Sequence, residues 1–328
     1  MSELLAQMTM VQALNQALGL HLERDERCLL LGEDIGYFGG VFRVTDGLQK
    51  KYGSHRVIDT PLAECGIVGT AIGMALAGLR PVAEIQFADF VYPAIDQLVN
   101  EASKYRYRSG GQYSVPFVLR MPYGGGIRGG HYHSQSPEVF FTHTPGLRVL
   151  VPSGPYEAKG LLLSALNCPD PVIFLEPKRI YRTLKADIPK EYYTLPLEHA
   201  RIVREGKDAT LVAYGAMTEI AREAARLAEK EGYDVEVIDL LSLLPYDRET
   251  ILHSVLKTKR MVVVHEAPRT CGFAAELIAE IQEKAFTKCE APLLRVTGFD
   301  TPFPYTLEDH YLPEAGRILS ALKTVIEY

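Results

Sequence analysis

The side chains of this chain that could transfer protons stand beside uncharged or glycine-rich segments. One is Glu64, which follows the turn-forming Pro61 in DTPLAE and precedes a run from Cys65 to Leu79 that has no charged residue. At the start of a buried helix, the helix dipole favours a carboxylate anion, whereas burial favours the protonated acid. Such a group can act as a general acid or base, but it can also do no more than stabilise the helix end.

Two histidines, His131 and His133, lie in the segment YGGGIRGGHYHSQSPE, whose glycines indicate a loop that is rigid only if something packs on it. Their H-x-H spacing is compatible with metal ligation, but no Cys or acid stands at the spacing of a zinc motif, so we expect no metal site on this chain. Two further acids, Glu33 and Asp34, follow the apolar run CLLLG. Acids in such a loop are more often solvated than functional.

The run that follows Glu64 predicts a helix with a nearly side-chain-free stripe. Gly66, Gly69, Gly73 and Ala77 recur at steps of three and four, so another backbone could approach them closely. The run is shorter than the roughly 20 residues that a membrane span needs. We therefore expect a buried helix of a soluble protein, followed by a strand that ends at the aromatics of AEIQFADF.

Apolar runs and helical periodicity alternate along the whole chain, which predicts an α/β fold with two domains, each built on a mostly parallel sheet. We place the first domain at residues 1–185, a linker at 186–207 and the second domain at 208–328. The second domain has no G-x-G-x-x-G after its first strand, which argues against nicotinamide binding.

Composition limits the partners and the compartment. The net charge of −6 and the pI near 5.9 argue against nucleic acid or an anionic membrane as a partner. The segment KYRYR is basic and aromatic, but it ends a helix predicted from Pro93 to Ser109, where the helix dipole favours cations. Five cysteines without a CxxC pair, and an N-terminus that resembles neither a signal nor a transit peptide, predict a cytoplasmic protein.

The chain resembles one family over nearly its whole length. The segments that carry the resemblance are TPLAE with its glycine-striped helix, AEIQFADF, LLGEDIG, YRYRSGG, HSQSPE and VTGFDTPFPY. This family is the β subunits of the thiamine-diphosphate-dependent decarboxylating component of 2-oxo acid dehydrogenase complexes. The resemblance implies a pyrimidine-binding domain of the thiamine diphosphate type, followed by a transketolase C-terminal-like domain. In the family, the second domain serves subunit assembly and docking on the acyltransferase core.

The resemblance also implies roles for individual residues. Glu64 matches the acid that hydrogen-bonds the aminopyrimidine of the cofactor and helps to activate it for reaction at C2 of the thiazolium ring. Phe90 is expected to stack on the pyrimidine, and Gln86 and Leu62 to line the same pocket, with Glu33 nearby in no assigned chemical role. His133 matches a histidine that points at the reacting carbon. No such match exists for His131.

One half of the cofactor site is missing from the sequence. The partner subunit in this family carries a GDG segment that holds Mg²⁺ and the diphosphate, whereas no Gly-Asp pair occurs here. The resemblance therefore implies an α2β2 heterotetramer with thiamine diphosphate shared between subunits, Mg²⁺ on the α subunit, and no activity for this chain alone. It also implies a lipoyl acyltransferase core as a further partner.

Within the family, three segments most resemble the members that act in branched-chain amino acid catabolism and use 2-oxoisovalerate as substrate. These segments are AEIQFADF, KYRYRSGG and HSQSPE. We therefore expect decarboxylation of a branched-chain 2-oxo acid and transfer of the acyl group to a lipoyl arm. A pyruvate or acetoin dehydrogenase β subunit is an alternative of the same build. A non-catalytic α/β scaffold subunit is a second alternative, against which Glu64 and His133 argue.

Overall fold

The computed structural model describes residues 5–328, so the first four residues of the predicted first domain lie outside it. The strands are β1 Leu5–Thr9, β2 Cys28–Gly32, β3 Val57–Asp59, β4 Arg80–Glu84, β5 Val118–Tyr123, β6 Arg148–Leu150, β7 Val172–Pro177, β8 Lys185–Pro189, β9 Arg201–Arg204, β10 Ala209–Ala213, β11 Val235–Asp239, β12 Ser242–Leu244, β13 Met261–Val264 and β14 Leu294–Val296. The α-helices are α1 Met10–Arg24, α2 Leu48–Tyr52, α3 Glu64–Leu76, α4 Tyr105–Arg108, α5 Glu138–Thr142, α6 Pro155–Asn167, α7 Met217–Lys230, α8 Arg248–Thr258, α9 Ala274–Ala285, α10 Glu308–Tyr311 and α11 Ala315–Ile326.

The first sheet has seven strands in the order β12-β6-β7-β5-β4-β2-β3, and all of its pairings are parallel except that of β12 with β6. Its central strands are apolar on both faces because helices cover both sides. Leu30 and Val118 face the core shared with α1 and α6, whereas Leu31 and Leu119 face the core shared with α3. The predicted parallel α/β architecture is confirmed.

The second sheet has five strands in the order β14-β13-β10-β11-β9, with β9 antiparallel at one edge. Strands β1 and β8 form a separate antiparallel pair. The segment predicted as a linker therefore contains β9 and most of β8. Strand β12, from the second half of the chain, extends the first sheet, so the two halves are joined by strand pairing as well as by the connecting chain.

Three strands at the centre of the first sheet are bridged by one buried ion cluster. Arg120 of β5 donates to Glu84 of β4 over 2.7 Å and to the two carboxylate oxygens of Glu176 of β7 over 2.7 and 2.9 Å. Tyr181 also donates to Glu176. Every member of the cluster is buried, so each carboxylate depends on Arg120 for its counter-ion.

Helix α3, which was expected to be buried, is buried on only one side within this chain. Its inner face consists of apolar residues such as Val68 and Ile72, but Gly66, Gly73 and Ala77 are exposed. An uncharged sequence does not distinguish burial within one chain from burial against another chain. Among residues 5–328, no helix is long and apolar enough to cross a membrane.

The helix predicted from Pro93 to Ser109 is interrupted. A 3-10 turn covers Tyr92–Ala94, a π-helical stretch covers Gln97–Ala102, and α4 follows with its own short α-helical turn. A π-helical stretch shifts the residues after it around the helix axis, and it is common near functional sites.

Candidate active site

The candidate site lies at the carboxyl ends of four neighbouring strands, β7, β5, β4 and β2. Parallel strands end at the same edge of a sheet, and in open α/β sheets ligands bind outside that edge. Glu33 follows β2 and Gln86 follows β4. Strand β5 leads into the glycine-rich loop, defined here as residues 124–135, which carries His133.

The acidic part of the site brings together three of the predicted residues. Burial raises the pKa of Glu33, and the nearby negative charges of Asp34 and Glu64 raise it further, so Glu64 lies within electrostatic reach of Glu33. The side-chain amide of Gln86 donates to the backbone oxygen of Glu33 over 3.4 Å. Glu64 is the first residue of α3 and is half-buried, and its neighbour Leu62 is 71% exposed.

Contacts with the aromatic residues of the site distinguish His133 from His131. The ring of His133 lies 4.3 Å from the ring of Phe87 and 5.5 Å from that of Phe90, centroid to centroid, and meets both edge-on. Phe90 is half-buried and lies on a 3-10 turn beyond the end of β4, not on the strand itself. His131 is exposed, and its ring contacts that of Tyr132 at 4.1 Å. Only His133 therefore joins the predicted cofactor-binding aromatics.

Asp89 connects these two aromatics to the glycine-rich loop, and sequence reasoning missed it. Its buried carboxylate oxygen Oδ1 accepts the backbone N–H groups of Ser134 and Gln135 over 3.1 and 3.0 Å. Asp89 stands between Phe87 and Phe90 in AEIQFADF, so one short turn holds both the aromatic surface and the residues after His133. The signal in the sequence was an acid enclosed by aromatics, which is unusual for a solvated loop.

Glu138, the last residue of the HSQSPE segment, ties the site to the second domain. It is fully buried, and its Oε1 accepts the hydroxyl proton of Tyr214 over 2.7 Å. Burial raises the pKa of Glu138 to about 7, against the opposing effect of the Tyr214 hydrogen bond. The sequence predicted no role for the glutamate of this segment.

The arrangement fits the pyrimidine half of thiamine diphosphate. A carboxyl at a helix start, an amide and an aromatic ring are the groups that would hold an aminopyrimidine by hydrogen bonds and stacking. Within residues 5–328, the carboxyl of Glu64 has no side-chain hydrogen-bond partner, so it is available to a ligand. Across the same residues, no group of three or more His, Cys, Asp or Glu side chains could hold a metal ion.

Comparisons with known proteins agree with this fold and site. The family model for the transketolase pyrimidine-binding domain matches residues 6–183, and that for the transketolase C-terminal domain matches residues 198–318. The chain of a solved structure, a split-gene transketolase described as an inactive β4 tetramer, superposes with a TM-score of 0.78 at 21% identity, covering 98% of both chains. The family models thus place the chain among proteins with the transketolase-type domains of thiamine diphosphate enzymes.

Closer relatives identify the family. The chain is 52% identical to the 2-oxoisovalerate dehydrogenase subunit beta of Pseudomonas aeruginosa, over 98% of this chain and 95% of that one. It is 51% identical to the mitochondrial 2-oxoisovalerate dehydrogenase subunit beta 2 of Arabidopsis thaliana, over 98% and 90%. Against the pyruvate dehydrogenase E1 component subunit beta of Acholeplasma laidlawii it is 51% identical, over 97% and 98%. The chain belongs to the β subunits of the E1 component of 2-oxo acid dehydrogenases, as predicted.

The neighbourhood of Glu33 and Glu64 is testable in the chain alone. Glu64→Gln removes a negative charge that raises the pKa of Glu33, so we expect that pKa to fall. Titration of ¹³C-labelled glutamate side chains by NMR would measure it. Glu26→Gln, an exposed acid elsewhere, serves as the matched control and should leave Glu33 unchanged. An unchanged Glu33 titration in Glu64→Gln would mean that the two carboxyls are not neighbours.

Proposed function

We propose that this chain is a catalytic β subunit that, with an α subunit, decarboxylates a branched-chain 2-oxo acid and passes the acyl group to a lipoyl arm. The observation that carries the proposal is the convergence of Glu64, Gln86 and His133 at one sheet edge. A non-catalytic scaffold has no need of this convergence. The names of the relatives at 51–52% identity support a 2-oxoisovalerate-type substrate, with pyruvate as the alternative.

Thiamine diphosphate, when bound, supplies the nucleophilic carbon at which a 2-oxo acid loses carbon dioxide. Glu64 would hold a proton on the pyrimidine ring nitrogen. Glu33 lies close to Glu64, with a pKa that burial and the charges of Asp34 and Glu64 raise. Gln86 and Phe90 would orient the pyrimidine ring, and Leu62 would cover it once a partner encloses the site. These roles extend the predicted cofactor-binding set of Glu33, Leu62, Glu64, Gln86 and Phe90.

His133 has a separate role in the transfer half of the reaction. The lipoyl disulfide opens when one sulfur takes the acyl group and the other takes a proton, and the imidazole of His133 would supply that proton. Its edge-on contacts with Phe87 and Phe90 fix the ring at the mouth of the site. His131, which lacks those contacts, has no proposed role.

An α subunit would complete the site, with Mg²⁺ and the diphosphate held on its side. Apolar and small residues on α3 and in segments that precede it in the chain support this partnership, because they face solvent in the single chain. Tyr37 and Leu62 are 83% and 71% exposed, and a Cβ added at Gly73 would meet no atom within 4 Å. An exposed apolar surface of this kind is typical of a subunit interface, which supports an α2β2 heterotetramer serving a lipoyl acyltransferase core.

A cytoplasmic location is part of the same proposal. All five cysteines, which include the exposed Cys65 and Cys271, are free thiols. Free thiols are the rule in a reducing compartment.

Reconstitution tests the proposed activity. The purified chain should decarboxylate nothing by itself, and addition of the α subunit and thiamine diphosphate with Mg²⁺ should restore turnover. We expect kcat/KM for 2-oxoisovalerate to exceed that for pyruvate by about 10-fold or more, since each methylene that fills an apolar pocket contributes about that factor. A preference for pyruvate would favour the alternative substrate, and robust turnover by this chain alone would contradict the shared site.

His133→Ala tests the division of labour in the reconstituted enzyme. Acylation of a lipoyl domain should fall by roughly 100-fold or more, which is typical of a lost proton donor. Decarboxylation measured with an artificial electron acceptor should fall much less. His131→Ala is the matched control and should affect neither assay strongly. Equal losses in both assays for His133→Ala would indicate that His133 holds substrate or cofactor instead.

A further inference from the structure

Buried carboxylates from three different parts of the chain hold the glycine-rich loop. Asp89 binds the N–H groups of Ser134 and Gln135, as described above. Glu266, which follows β13 of the second domain, accepts the N–H of Gly125 over 2.8 Å. Glu308 of α10 accepts the N–H of Arg128 with both oxygens at 3.1 Å. All three side chains are buried, so the loop is fixed from the first domain and twice from the second.

A buried lysine accompanies these acids. Lys178 directly follows β7 and is only 3% exposed, and its ammonium nitrogen has no hydrogen-bond partner among residues 5–328. The nitrogen lies 5.5 Å from the centroid of the Phe87 ring, on which His133 packs. Burial lowers the pKa of Lys178 to about 8, while Asp89, Glu266 and Glu308 act in the opposite direction. The three acids that bind the loop are thus the acids whose charges raise the pKa of Lys178.

We propose that Lys178 is a positioning residue: its buried ammonium ion supplies the counter-charge for the carboxyl groups of Asp89, Glu266 and Glu308, which bind the N–H groups of the glycine-rich loop and so hold His133 against Phe87. The inference rests on the proposed role of His133 in acyl transfer. Lys178 itself need touch neither cofactor nor substrate.

The physical reason is that three anions cannot be buried close together without a counter-ion. A carboxylate accepts an N–H hydrogen bond more strongly than a protonated carboxyl does. Burial already raises the pKa of Glu266, although the N–H of Gly125 and the charge of Lys178 lower it. Without the cation, Glu266 would take up a proton more readily, and its hold on Gly125 would weaken.

Other charged and titratable groups also face this cluster. The guanidinium of Arg179 lowers the pKa of Glu266, and its side chain fills the space beside Gly126. The charge of Glu266 also raises the pKa values of three neighbours, Glu138, Tyr123 and Tyr311. Since the pKa values of both tyrosines are raised, they stay neutral near pH 7. An arginine guanidinium stays protonated in proteins, so Lys178, with a pKa of about 8, is the cation beside Glu266 that titrates near neutrality.

The pH dependence of transfer follows from these directions. At alkaline pH Glu266 loses its proton whether or not Lys178 is charged, so the contribution of Lys178 shows on the acid side of the transfer profile. In Lys178→Met the pKa of Glu266 rises further, so the acid limb of the transfer profile should move to higher pH. Lys178→Arg keeps the cation and should leave the acid limb at its wild-type position. The decarboxylation profile should not shift in either variant.

The experiment uses the enzyme reconstituted with its α subunit and compares Lys178→Met with Lys178→Arg. In Lys178→Met we expect lipoyl acylation near pH 7 to fall by about 100-fold, the cost of misplacing a reacting group by about 1 Å. Decarboxylation should change little, and Lys178→Arg should restore transfer. Hydrogen–deuterium exchange of residues 124–135 should be faster in Lys178→Met and close to wild type in Lys178→Arg.

Lys159→Met is the matched control. Lys159 is also fully buried and burial also lowers its pKa to about 8, but it lies in α6 and bonds to Gln16 and the carbonyl of Pro189. Its loss should destabilise the fold without changing the ratio of transfer to decarboxylation or the exchange of the glycine-rich loop.

Loop exchange that is unchanged in Lys178→Met, or equally fast in Lys178→Met and Lys178→Arg, would overturn the proposal. A looser loop with an unaltered ratio of transfer to decarboxylation would also overturn it. His133→Ala in the same assays separates the two failures. If it too leaves that ratio unaltered, the proposed role of His133 fails, and if it lowers the ratio, only the role of Lys178 fails.

Discussion

The ion cluster around Arg120 is the interaction on which the site depends. Its guanidinium bridges Glu84 of β4 and Glu176 of β7 from the strand between them, in the buried centre of the first sheet. Each of these strands then delivers one part of the site: β4 the turn with Phe87 and Phe90, β5 the glycine-rich loop, and β7 Lys178. Loss of one partner from such a cluster costs about 3–5 kcal/mol, because it leaves buried charges uncompensated. Relative placement of the three segments therefore depends on this charged group as well as on the pairing of the strands.

Buried charges also hold the glycine-rich loop, where carboxylates bind backbone N–H groups and, in our proposal, Lys178 supplies the counter-charge. Two of those carboxylates, Glu266 and Glu308, belong to the second domain, and Tyr214 of that domain binds Glu138. The family resemblance implied assembly and docking for this domain. Its contacts add a second contribution, because the loop that carries His133 is fixed largely by side chains from more than a hundred residues away in sequence.

Much of the architecture was predictable because local signals and tertiary structure agree. Thr9 caps α1 in a capping box with Gln12, and the predicted alternation of buried strands and amphipathic helices in the second half matches β10, β11, β13 and β14 closely. Strands β9 and β12 were missed because short antiparallel edge strands are stabilised by their neighbours rather than by their own sequence. The sequence did not show which side of α3 stays exposed in the single chain, because an uncharged run does not distinguish burial within one chain from burial against another.

The site was predictable only in part. The resemblance supplied Glu64, Gln86, Phe90 and His133, and the structure brings Glu64 near Glu33 and His133 near Phe90. Lys178 and Glu266 could not be found from their local sequence, since a charged residue in a loop is usually solvated. Their roles arise from burial and from contacts between distant segments. The bounds of the domains and the chemical roles of the site residues stay predictions.

The central claim is that Glu64 activates a cofactor shared between two subunits. The most direct test is the rate of hydrogen exchange at C2 of thiamine diphosphate bound to the complex reconstituted with the α subunit, measured by quench and NMR. Glu64→Gln keeps the size of the side chain but removes the acid, so exchange should slow by roughly 100- to 10,000-fold. Assembly and cofactor binding should persist, and Glu26→Gln should behave as wild type. Exchange at the wild-type rate in Glu64→Gln, with cofactor bound, would contradict the account and leave Glu64 as a helix-end residue.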